Sequence, residues 1–237
     1  MKIHTIPLLA LAACVLPSSA LHAQEARTVR FRTLCLEQTA GVTSVHLPAA
    51  KSGADAVEVP LYTGSLSPEI VGNFTGKEAV FTGAPGADGK PAVMAKVALA
   101  SSSRQFFLFL PAKSGGAKPY EVMAFDDDTD SFKPGHIRSI NLAPVPVRFT
   151  IAGKASPPVP PSKQMIFPQA AKKDDYNMYP VVVDFASAGD KWFKGYSASW
   201  KASDTRREIV ITLIDPKFKQ PVVKCYPDLP PWLAATP

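Results

Sequence analysis

Gln105-Phe106-Phe107-Leu108-Phe109-Leu110 is the stretch on which the fold turns. Successive side chains of a strand point to opposite faces, and here both faces are apolar. Such a strand belongs in the middle of a sheet that is covered on both sides. At an exposed edge the same run would pair with other chains, and Pro111 and Lys113 follow it as gatekeepers.

Working outward, the chain repeats this grammar. Short apolar or alternating runs at 28–36, 57–63, 69–75, 79–82, 92–99 and 120–125 share the first half with it, separated by Gly, Pro, Ser and Asp. Beyond the acidic stretch Asp126–Asp130, further runs occupy 137–142, 145–151, 164–167, 179–185, 192–200, 208–214 and 222–226. No twelve-residue window carries an apolar stripe of helical period with a cap and a stop. With 24 prolines in 237 residues, long helical arrays are excluded, and 46% apolar against 19% charged residues excludes both disorder and a polytopic membrane protein.

The halves align loosely. Val93–Val97 matches Val181–Phe185, and Arg104-Gln105-Phe106-Phe107 matches Arg206-Arg207-Glu208-Ile209, which suggests a duplicated module. The expectation is therefore an all-β protein of two tandem antiparallel immunoglobulin-like β-sandwich modules, 24–133 and 134–237, behind a signal peptide at 1–23. A single larger sandwich is the alternative. Pro227–Trp232 reads as a Pro-rich, non-strand tail.

Residues 1–23 have the form of an export signal. Lys2 precedes the apolar run Ile6–Leu16, Pro17-Ser18-Ser19 breaks it, and Leu21-His22-Ala23 sets cleavage after Ala23. The protein is then periplasmic or extracellular. Alternatively, Leu11-Ala12-Ala13-Cys14 serves as a lipobox and leaves Cys14 lipid-anchored. No later run approaches the ~18 apolar residues of a spanning helix. The net charge of +6 is dispersed, so no nucleic-acid footprint is expected. In an oxidising compartment Cys35 and Cys225 are able to pair, a bridge worth about 4 to 5 kcal/mol in the chain-entropy model. The alternative is two separate buried thiols.

Gly135-His136-Ile137-Arg138-Ser139-Ile140-Asn141-Leu142-Ala143-Pro144-Val145-Pro146-Val147, followed by Ala152-Gly153-Lys154, resembles the strand-turn-strand opening of exported bacterial β-sandwich proteins of unknown function, the DUF4397-like group. The resemblance covers about twenty residues. It implies an exported β-sandwich and brings no catalytic residue with it.

Few residues suggest chemistry. Past Ala23 the histidines are His46, in a loop before Leu47-Pro48, and His136, opening a strand, and both read as structural or solvated. Ser197 sits in a strand-like run without the second glycine of a nucleophile elbow. Asp126-Asp127-Asp128-Thr129-Asp130 begins like a calcium loop but has Ser131 at the sixth position and Ile137 at the twelfth, so it reads as a solvated acidic turn. Pro157-Pro158-Val159-Pro160-Pro161 reads as a stiff connection. The most suggestive stretch is Trp192–Trp200: strict alternation would put Trp192, Lys194, Tyr196 and Trp200 on one face, with about 13 Å between successive rings. That face is either sandwich core or an exposed ledge for sugars, with Tyr176 and Tyr179 near it.

The functional expectation is an exported, non-enzymatic envelope protein without metal or cofactor, binding or scaffolding a protein or glycan partner. One alternative is a carbohydrate-binding module using Trp192, Tyr196 and Trp200. Another is a two-domain periplasmic assembly chaperone, for which Gln105–Leu110 has the character of a donor strand.

Overall fold

The computed structural model describes residues 26–49, 55–85, 89–112, 116–188 and 191–231, so the leader, Cys14, Lys113 and Trp232 lie outside the described residues. The first module contains β1 (Ala26–Cys35), β2 (Ser44–Leu47), β3 (Val57–Pro60), β4 (Ile70–Thr75), β5 (Glu78–Pro85), β6 (Pro91–Ala98), β7 (Arg104–Pro111) and β8 (Tyr120–Asp126). The second contains β9 (His136–Asn141), β10 (Val147–Ile151), β11 (Lys154–Ala155), β12 (Gln164–Pro168), β13 (Met178–Ala186), β14 (Trp192–Lys201), β15 (Arg207–Ile214) and β16 (Pro221–Asp228). All fourteen expected runs form strands. The two the sequence pattern misses, β2 and β11, are only four and two residues long. His46 therefore sits in a strand and not in a loop, and the final strand continues to Asp228 before the Pro-rich tail begins.

Each module has two four-stranded sheets, ordered β4-β1-β7-β8 and β3-β2-β5-β6 in the first, β12-β9-β15-β16 and β11-β10-β13-β14 in the second. Raising every strand number of the first module by eight reproduces the second. The topology matches β7 with β15, as the arginine-led runs suggested. It matches β6 with β14, so the valine-rich stretches aligned in the sequence, now β6 and β13, are not counterparts. The sheets are antiparallel except at β1–β7 and β9–β15, which run parallel. A parallel pair needs a long crossover, and here the intervening strands of the module supply it.

Alternation along β7 explains the layering. Phe107 and Phe109 point into the core between the two sheets of the first module, with Phe31 and Phe81. Phe106 and Leu108 point the other way, into a separate core shared with Ile140, Ile209, Ile211 and Tyr226 of the second module. A third core, around Val147, Phe149, Val181 and Phe185, fills the second sandwich. The modules are thus stacked sheet on sheet in four layers, and the strand that is apolar on both faces lies at the second. Both its edges are occupied, by β1 and β8, so it is not free to be donated. The segment between the modules is part of this packing: Phe132 is fully buried.

A ring of charge crosses the shared core. Arg32 on β1 donates to Asp127 Oδ2 at 2.6 Å and to Asp228 Oδ1 at 2.5 Å. Arg207, at the start of β15, donates to Asp127 Oδ1 and Asp228 Oδ2, each at 2.7 Å through different guanidinium nitrogens. Each arginine thus binds one carboxylate of its own module and one of the other, and no member is more than 3% exposed. The acidic turn is consequently not a solvated patch: Asp127 is buried, Asp126 accepts from the Ser102 amide, and Asp128 accepts from the amides of Asp130 and Ser131. Arg138 lies beside the ring, its guanidinium 4.6 Å from the Phe132 ring and 5.4 Å from that of Phe125, with one bond to the Asp126 carbonyl. Burial pulls its pKa down to about 10, with Arg207 adding to and the aspartates opposing that shift. It still carries charge at neutral pH.

Burial alone would raise the pKa of Asp228, but the hydrogen bonds and charges of Arg32 and Arg207 outweigh it and hold the carboxyl below its ordinary value. A carboxylate held down in this way contributes stability above its unfolded pKa, and that contribution is lost as the pH falls through the folded value. Thermal melts should therefore stay level from pH 7 to about 4 and drop steeply below it. Arg207→Met, which strips one arm from two buried carboxylates, should lower the unfolding free energy in urea by about 3 to 5 kcal/mol. A loss under about 1 kcal/mol would mean that the ring does not hold the modules together.

Candidate functional site

The aromatic stretch of β14 does not form the expected ledge. Tyr196 pairs with Val183, whereas Lys194 pairs with Asp184, so Gly195 is an extra residue in a bulge. The bulge reverses the alternation. Tyr196 and Trp200 pack against the core of the second sandwich, the Trp200 indole N–H donating to the Tyr196 hydroxyl at 3.1 Å. Trp192 and Lys194 fall on the opposite face, where the Arg148 guanidinium lies 4.5 Å from the Trp192 ring and pairs with Asp184. Tyr179 is buried and Tyr176 fully projects from a turn. The bulge requires glycine because a Cβ at 195 would lie 2.6 Å from the Phe185 ring and 2.7 Å from Pro221.

The other sequence candidates are dispersed. Cys35 lies in the core between the two sheets of the first module, donating to the Glu37 carbonyl, and Cys225 pairs across the strands with Val210, which faces the core of the second. At least one sheet spacing of ~10 Å separates these layers, far beyond disulfide reach, and both thiols are free. Burial pushes the Cys35 thiol up to about 11, which keeps it protonated at neutral pH, and partial desolvation raises that of Cys225 although the residue is exposed. His136 donates through Nδ1 to the Pro134 carbonyl, and Ser197 lies exposed on β14 opposite Val182. Val159 bridges to Val147, which pins the proline-rich stretch to β10 as a connection.

What the structure brings together is a run of depressions along the second sandwich. The largest apolar one, about 500 Å³, opens between the edge strands β11 and β12. Its lining includes Ile151, Met165, Phe167 and Ala170, with Lys154 and Lys172 as its charged residues. Met165 and Phe167 stay half-buried against the core, the Phe167 ring 5.3 Å from that of Phe149. The local sequence accounts for part of the opening. β11 stops after two residues, just before Pro157-Pro158, which cannot continue a hydrogen-bonded ladder, whereas β12 ends at Pro168 although Gln169 beyond it still donates to the Gly135 carbonyl.

A second depression of about 390 Å³ adjoins through Ala152 and Lys172 and is bordered by Asp174 and Tyr179. A third, about 250 Å³, follows through Met178, Tyr179 and Ser199 and ends at Glu208 and Cys225. Burial raises the Glu208 carboxyl, against the pull of Arg206 at 3.7 Å. The run is apolar and cationic at one end and polar at the other, which suits recognition of an amphipathic partner. Sequence reading missed this site, since its signals are the prolines that follow β11 and the small residues Ala170-Ala171 beyond Pro168, which form no recognisable motif.

A scan against protein-family models finds no match, and a search of curated proteins finds none. Among the described residues no helix is long and apolar enough to cross a membrane.

Gly195→Val should lower the unfolding free energy by about 1 to 3 kcal/mol, because Phe185 and Pro221 must shift to admit the side chain. A urea melt measures the loss, and an unchanged midpoint would mean that the bulge is not pinned by these contacts.

Proposed function

We propose that this protein is exported to the cell envelope and acts there as a non-enzymatic binding and scaffolding protein for another macromolecule. The observation that carries the reading is the core shared by the two modules, with its buried charge ring. Domains in one chain move relative to each other unless their interface is large and apolar. Two sandwiches stacked through such an interface hold their outer surfaces at a fixed separation, which is what a scaffold requires. The leader-like residues 1–23 and the resemblance of Gly135–Lys154 to exported sandwich domains support the export half of the reading. The depressions on the second module supply a place for the partner. The glycan reading lacks comparable support, because Trp192 lies on the opposite face from Tyr196 and Trp200.

The test is made on the full chain in its native host. The envelope fraction should contain protein beginning at Gln24, or at a lipid-modified Cys14. A photo-cross-linking residue at position 172, beside the cavity, should capture a discrete macromolecule that the same residue at position 96, on exposed β6, does not. Retention of the intact chain in the cytoplasm would overturn export. Turnover of a substrate, lost on replacing a single residue, would overturn the non-enzymatic reading.

A further inference from the structure

The two modules share a strand order, and one of their differences lies at the end of the β12 edge strand. When Asp127 is set against Asp228, the pairing registers place Arg104 on Arg207, Phe31 on Ile137 and Phe74 on Ala171. In the first module β4 runs on past Gly72 to Thr75, and Phe74 is 5% exposed in the core. Leu47 and Phe74 crowd Gly72 so closely that a Cβ there would meet either at 2.9 Å. At this point that edge is filled by its own side chains, and a depression of about 710 Å³ opens only farther along, at Ala26, Arg27, Gly76 and Lys77. In the second module the counterpart strand ends at Pro168, the position of Phe74 is taken by exposed Ala171, and the cavity of about 500 Å³ opens there.

The backbone beside that cavity is also incomplete. Asn141 donates to the Lys163 carbonyl and Gln169 donates to the Gly135 carbonyl, so residues 163, 165, 167 and 169 turn their polar groups toward β9. By alternation, Gln164 and Ile166 turn theirs outward, and no strand among the described residues pairs with that edge. Lys154 and Lys172 line the opening, no carboxylate lines it, and neither lysine has a carboxylate within 4 Å among the described residues.

We infer that the β12 edge of the second module is a receptor for an extended, acidic peptide segment of a protein partner. The segment adds as a strand to Gln164–Ile166, inserts one alternate apolar side chain where Phe74 sits in the first module, and sets acidic residues against Lys154 and Lys172. Backbone pairing supplies the binding and the side-chain pocket the selectivity, as in strand addition generally. The free edge favours a peptide over an acyl chain, because only a backbone is able to pair with the outward polar groups of Gln164 and Ile166. This inference rests on the proposed binding role and specifies its partner.

The probe is acetyl-Glu-Val-Thr-Val-Thr-Val-Glu-amide added to the purified protein, with its lysine-ended analogue and dodecanoate as comparisons. Hydrogen exchange at Gln164 and Ile166 should slow at least tenfold with the acidic peptide and less than twofold with either comparison. Ala171→Phe, which restores the closed arrangement of the first module, should abolish the protection while keeping the melting temperature. Lys172→Glu should reverse the preference between the two peptides. Equal protection by both peptides, protection that survives Ala171→Phe, or binding of dodecanoate alone would overturn the inference. Cross-linking from position 172 to a macromolecule without any peptide protection would leave the binding role standing and remove the peptide. Peptide protection with no cross-linked partner in the host would do the reverse.

Discussion

Four buried side chains, Arg32, Asp127, Arg207 and Asp228, close an alternating ring through the middle of the molecule. Removing ions from water costs several kcal/mol each, and mutual attraction offsets that cost only when hydrogen bonding is nearly complete. Completeness is met here only across the module boundary, since each carboxylate is bonded by an arginine from each side. Separating the modules would leave charges half-paired in a partly apolar surface. Much of the four-layer stack follows from that constraint, including the burial of Phe132 against two guanidinium groups.

The apolar layer around the ring supplies area, and the ring supplies register. Phe106, Leu108, Ile209 and Ile211 would pack acceptably over a range of offsets between the two facing sheets, because the hydrophobic effect is non-directional. Bidentate arginine–carboxylate pairs tolerate no such range. The division of labour gives one fixed relation between the outer sheets, on which the scaffold reading depends.

Repetition of one topology sharpens the site. Two sandwiches with the same strand order differ at one edge, where Phe74 seals the first and exposed Ala171, beyond Pro168, stands in its place in the second. The cavity is therefore a local departure at the position that Phe74 fills in the first module. Its lysines stand where an acidic partner would neutralise them, and the adjoining depressions lead away toward Glu208 and Cys225.

The sequence by itself determined the strands, because period-two alternation is a property of adjacent residues, and it showed that β7 must be covered on both faces. It left no trace of the partner for that second face, since Phe106 meets residues about a hundred positions away through packing alone. Arginines in and beside apolar runs, Arg32 after Phe31 and Arg207 ahead of Ile209, were visible, but their partners Asp127 and Asp228 read as a solvated turn and a tail. The aromatic face failed for a smaller reason: one bulged glycine shifts parity, and parity decides every side chain beyond it. Only the tertiary structure decided which sheet faces which, because ion pairing, cavity and bulge all depend on contacts whose geometry no local pattern encodes.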